Sequence, residues 1–142
     1  MTNSWIFPAV LSALFAALTA ILAKIGVMNV SSNLATAIRT TVILFFAWGI
    51  VLFQGLGSQL TKIEGKTLVF LVLSGIATGL SWLFYFRALQ LGDASKVAPV
   101  DKLSLVFTVL LAFMFLRERI SMISFVGILI TTIGIFIVIF GK

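Results

Sequence analysis

Apolar residues run along this chain in long, nearly continuous stretches, without the two-residue alternation of a half-buried strand or the one-sided stripe of a soluble helix. The first stretch extends from Trp5 to about Val27, with Pro8 near its start and Lys24 near its end. A polar segment containing Asn29, Ser31, Ser32 and Asn33 leads into the second, residues 33–53, which the Gly55, Gly57, Ser58 cluster closes together with Lys62, Glu64 and Lys66. The third covers residues 67–91 and stops at Gly92, Asp93, Ala94 and Ser95, where glycine and Asp/Ser chemistry suit a short turn. The fourth covers residues 96–116, and Pro99 predicts that its regular helix begins only there, because proline disfavours a helical Ala98 and is best tolerated in a first turn. A polar hairpin of Arg117, Glu118 and Arg119 then precedes the last stretch, residues 121–140.

Each stretch is long enough for a membrane span, which takes about 20 predominantly apolar residues. Hydrocarbon satisfies no backbone hydrogen bonds, so spans are helices or closed barrels, and the dyad alternation of barrel strands is absent. The pattern therefore predicts an all-α integral membrane protein, a single domain of five transmembrane helices over residues 1–142, with the lipid bilayer as its first partner. Met1 to Ser4 carries no basic side chain and the run behind it is too long for a signal peptide, so the first stretch reads as a permanent span.

Composition sharpens this reading. Of 142 residues, 61% are hydrophobic and 10% charged, against about 25% charged in soluble domains, and no part of the chain is left over for a soluble domain. The net charge of +6 does not point to nucleic acid, since most of the basic residues lie near apolar runs and not on a solvated patch. With no Cys and no His, the chain has no disulfide framework and lacks the usual zinc ligands. No cofactor, metal site or enzymatic activity is expected.

An odd number of spans puts the two termini on opposite faces. Lys62, Lys66, Arg117 and Arg119 lie on the face of the amino end, Lys96 and Lys142 on the other. That excess places the amino end inside. Counting Lys24, Arg39, Arg87 and Lys102 as interfacial cancels the preference, and a bias so weak suits a chain inserted both ways round. Two such chains can pair as the inverted repeats common in transporters, with the substrate site near the repeat interface.

Ionisable groups within spans are costly unless paired, hydrated or interfacial. Lys24, Arg39, Arg87, Asp101 and Lys102 all fall in the half of the membrane opposite the amino end, as one polar layer. Lys24 and Arg87 also fit as long stems near helix ends that reach the headgroups. Arg39 follows Ser32 by seven residues and precedes Thr40 and Thr41, which suits a cavity lining. Asp101 shares a helical face with Ser104, Thr108 and Ala112, or else serves as an acid favoured in a first helical turn. Its natural partner is Arg39 or Lys102, and a protonatable carboxylate beside a base offers one route to proton coupling, whereas the basic excess suits an anionic or zwitterionic substrate. Trp82 and Tyr85 fit either substrate stacking or an aromatic belt. In the last span Gly127, Thr131 and Gly134 form a small-residue face suited to close helix packing, within the chain or in a dimer.

The segments Tyr85-Phe86-Arg87-Ala88-Leu89, Gly92-Asp93-Ala94-Ser95-Lys96-Val97-Ala98-Pro99 and Leu116-Arg117-Glu118-Arg119-Ile120-Ser121 resemble the EamA domain of the drug/metabolite transporter superfamily. The resemblance covers essentially the whole chain, and Asp101-Lys102-Leu103-Ser104 is similar to the five-helix bacterial and archaeal branch. It implies one inverted-repeat unit of a ten-helix transporter, a multi-pass inner-membrane homodimer moving a small-molecule substrate. Arg117 stands where the family's hairpin commonly has glycine. The Gly127 to Gly134 spacing resembles the dimerising last helix of small multidrug resistance proteins, whose first-helix acid has no counterpart here, so cation/proton exchange does not carry over. A lipid-headgroup flippase and a non-transporting accessory subunit are the rival readings.

Overall fold

In the computed structural model, which describes residues 4–141, all regular structure among the described residues is helical. Helices α1 (Ile6–Val27), α2 (Ser32–Phe53) and α3 (Gly65–Leu91) are followed by α4 (Ala94–Asp101), α5 (Ser104–Leu111) and α6 (Met122–Phe140). At about 1.5 Å per residue, α1, α2, α3 and α6 each reach roughly 28–40 Å, enough to cross about 30 Å of hydrocarbon. The fourth span is composite: α4, α5 and a π-helical segment Ala112–Leu116 together make the 23-residue stretch Ala94–Leu116. Protein buries at most 6% of the most apolar window of any span. Side chains such as Phe53, 94% exposed, and Ile123, 86% exposed, therefore have lipid as their apolar solvent.

Helix starts follow capping chemistry. Ser31 is extended and its Oγ accepts the Leu34 N–H at 3.2 Å; Ser121 does the same for Ser124 at 3.1 Å. Pro8 sits in the first turn of α1, where its missing N–H costs nothing. A 3₁₀ segment, Leu56–Lys62, fills the connection between α2 and α3 and carries Lys62, while Lys66 lies in the first turn of α3. Lys142 lies outside the described residues.

Two compact units are present. The first contains α1 to α3 and ends at Leu91; the second begins at Gly92 and contains α4 to α6. In the first, Ala20 and Val27 of α1, Ser32 and Thr36 of α2, and Phe86 and Leu89 of α3 are buried. These residues cluster toward the C-terminal ends of α1 and α3 and the start of α2, in the same unit as Lys24, Arg39 and Arg87.

Within the fourth span the regular helix does not wait for Pro99. Helix α4 begins five residues earlier, because extended Asp93 offers its carbonyl to the N–H groups of Lys96 and Val97 at 3.0 and 2.9 Å. That local nucleus outweighs the pre-proline preference at Ala98. Pro99 lies inside α4, where it lacks the N–H to bond back to Ser95, and α4 stops two residues later at Asp101. Lys102 and Leu103 then donate three residues back, to Pro99 and Val100, at 3.0 and 2.9 Å. This short 3₁₀ turn interrupts the span beside its acid and lysine.

At the end of that span Arg117 adopts φ 54°, ψ 32°, the left-handed conformation, and its N–H bonds to Ala112. A side chain there costs about 1–2 kcal/mol. Arg117→Gly is expected to raise stability by about 1 kcal/mol, read from unfolding in mixed micelles, whereas Arg117→Ala gives no gain. A lower unfolding midpoint for the glycine variant would refute the strain.

Candidate substrate site

The first unit assembles its polar residues through side chain to backbone bonds. Lys24 of α1 sends its ammonium to the carbonyl of Leu89 at 2.7 Å, so a cation meets the negative end of α3. Gln90 donates from Nε2 to the carbonyls of Val27 and Val30, at 3.0 and 2.6 Å, tying α3 to the connection between α1 and α2. With its nitrogen so committed, Gln90 presents Oε1 to Arg87, whose Nη1 donates to it at 3.3 Å. Arg87 itself is exposed. Its guanidinium is thus held at the rim by an uncharged acceptor.

Arg39 occupies a different face of the same unit. It is half-buried, and its guanidinium carbon lies 4.0 Å from the centroid of the Trp82 ring and 5.3 Å from that of Phe86. This is cation–π geometry, stronger where water is scarce. Trp82 is therefore engaged by the protein's own cation, and Tyr85 packs edge-on to Phe86 with centroids 6.3 Å apart. The neighbouring hydroxyls do not join Arg39. Thr40 and Thr41 bond back to the carbonyls of Thr36 and Ala37 in their own helix, at 2.8 and 3.0 Å, the usual way to satisfy a hydroxyl among lipids.

In the second unit, Asp101 pairs with Lys102, Nζ to Oδ2 3.4 Å, with 38% and 61% of the two side chains exposed. Such an exposed pair contributes little to stability. Because side chains three apart eclipse in a 3₁₀ turn, the interruption keeps Asp101 and Ser104 on one face, and Thr108 follows one turn on. Ser104 and Thr108 are both exposed. Along α6, Ile128, Thr132, Ile135 and Ile139 form the covered face, whereas Gly127, Thr131 and Gly134 are exposed. A Cβ added at either glycine would meet nothing within 4 Å.

Residues the sequence reading passed over are Gln90 and Phe86. Both left a signal: Gln90 is an amide inside an apolar run, and Phe86 lies four residues after Trp82, on the same helical face.

Comparison with known proteins agrees with this architecture. The chain matches the EamA-like transporter family over residues 3–140. It is 49% identical over 134 residues to a Sinorhizobium sp protein named "Uncharacterized transporter in cobO 3'region", covering 94% of this chain and 95% of that protein. It is also 31% identical over 72 residues to an uncharacterized protein of Methanocaldococcus jannaschii, 51% of this chain and 53% of that one. No solved structure matches it significantly. With five membrane-spanning helices and a family match over nearly its whole length, the chain belongs to the EamA-like transporter family.

Proposed function

We propose that this protein carries a small polar or amphipathic metabolite across the cell's inner membrane by alternating access, as an antiparallel homodimer, with Arg39, Asp101, Lys102, Ser104 and Thr108 along the pathway. The observation that supports this most is the interrupted fourth span. Irregular backbone at membrane depth persists only where protein or a water-filled cavity receives its polar groups, and discontinuous helices of this kind form substrate and ion sites in carriers. Here the interruption, at Lys102 and Leu103, directly follows Asp101, which pairs with Lys102. A polar pathway residue set in one chain, with an odd span number, needs a second copy to complete the passage.

Two measurements test the reading. Reporters fused to the carboxyl terminus are expected to appear on both faces of the membrane, and replacing Lys62 and Lys66 by glutamine shifts the ratio by weakening the charge bias of the amino-terminal face. One exclusive orientation would sink the antiparallel pair. Uptake by the purified protein in vesicles tests transport itself, and failure across a broad solute panel would favour the accessory-subunit reading.

A further inference from the structure

The first unit contains an open pocket of about 490 Å³ between the start of α2 and the last turns of α3. Its polar side is made by Ser31, Ser32 and Asn33 with Arg87 and Gln90. Earlier on α3 the lining is apolar, Leu80, Leu83 and Phe84, and Phe84 is 75% exposed, so the lining continues onto the lipid-facing surface of α3. Among the described residues lining it there is a cation and no carboxylate.

Ser32 is the informative residue. It is only 8% exposed, it lines the pocket, and its hydroxyl makes no hydrogen bond with any described residue. No fully enclosed side-chain polar atom among the described residues lacks a partner, so this oxygen is reached from the pocket. A mostly buried serine whose hydroxyl is uncommitted and still accessible can donate to a polar group from outside the chain. The first-turn amides of α2 stand beside it. Ser31 Oγ takes the Leu34 N–H, whereas the N–H groups of Ser32 and Asn33 have no acceptor within the helix and carry its positive end. Across the pocket, the Gln90 amide, anchored to Val27 and Val30, steers the Arg87 fork. Hydroxyl, amides and guanidinium all donate.

We propose that this pocket binds the oxyanion end of an amphipathic anion, with Ser32, the first turn of α2 and Arg87 holding the oxyanion and Leu80, Leu83 and Phe84 holding the apolar body. The inference deepens the transport reading, on which it rests for the statement that this anion is cargo. The same chemistry is offered by a free amphipathic acid and by the headgroup of an anionic phospholipid.

The test is equilibrium binding of radiolabelled octanoate to the full chain in uncharged detergent. Saturable binding is expected, displaced by neither octanol nor octyltrimethylammonium. Arg87→Gln should weaken it about tenfold or more, Arg87→Lys less because it keeps the charge without the fork, and Ser32→Ala by a few-fold. Lys62→Ala, outside the pocket, serves as the control. Repeating the measurement in phosphatidylcholine vesicles with and without phosphatidylglycerol identifies the source: competition by phosphatidylglycerol assigns the pocket to lipid headgroups, its absence to free acids. Equal binding of octyltrimethylammonium, or unchanged octanoate binding in both Arg87→Gln and Ser32→Ala, would overturn the proposal, the first comparison needing no variant to fold. Octanoate that binds at Arg87 and Ser32 yet never crosses a vesicle membrane would remove the transport reading alone. Transport of other solutes by a protein that binds no octanoate would remove the pocket assignment alone.

Discussion

Arg39→Leu is expected to reduce transport in reconstituted vesicles by at least about tenfold while the protein still inserts, purifies and keeps its helix content. Two opposing effects decide the second half of that statement. Losing the guanidinium from the faces of Trp82 and Phe86 forfeits about 2 kcal/mol in a water-poor setting. Removing a cation from within a span recovers a comparable cost, about 2.5–3.5 kcal/mol on insertion scales. Stability therefore changes little, and a fall in transport reports the missing cation. Arg39→Lys separates charge from shape, because an ammonium keeps the charge and loses the planar stack. It should retain part of the activity. Transport by Arg39→Leu equal to that of the unaltered protein would show that the stack only fastens α2 to α3.

The same residue shows how far the sequence could be read. Span number and helical class follow from apolar run lengths, because lipid leaves the backbone no alternative. The depth of Arg39 could be read from its position in the second run, but its partners could not. Trp82 and Phe86 lie more than forty positions away, and their meeting depends on how α2 and α3 pack. The adjacent Thr40 and Thr41 suit a cavity lining, and in the structure their hydroxyls are satisfied on their own helix. Gln90 carries no charge to mark it in an apolar run, although its two nitrogen bonds tie α3 to the connection between α1 and α2. The regular helix of the fourth span begins before Pro99 for a similar reason. A rule about the residue before Pro99 is local, whereas the Asp93 carbonyl that nucleates α4 belongs to the preceding turn. Arg117 stands where the family's hairpin commonly has glycine, and the structure supplies the reason in its left-handed backbone.

Gly127→Leu combined with Gly134→Leu is expected to weaken self-association by about tenfold to a hundredfold, measured by energy transfer between labelled chains in vesicles. The argument starts from the two faces of α6. Ile128, Thr132, Ile135 and Ile139 recur at four- and three-residue spacing and are the covered positions. Gly127, Thr131 and Gly134 repeat the spacing one residue earlier, about 100° around the helix, and stand open. Thr131 donates its hydroxyl to the carbonyl of Gly127 at 2.9 Å, leaving a smooth strip with no unmet polar group. Between lipid-solvated helices such a strip gains by close backbone approach, which leucine at either glycine prevents. Since a Cβ at these glycines meets nothing within 4 Å, the helix content and unfolding midpoint of the double variant are expected to stay unchanged. Ile135→Leu gives the matching contrast, disturbing the covered face while sparing association. If the double glycine variant associates as well as the unaltered chain, α6 does not form the contact between copies, and the pairing must be sought on another span.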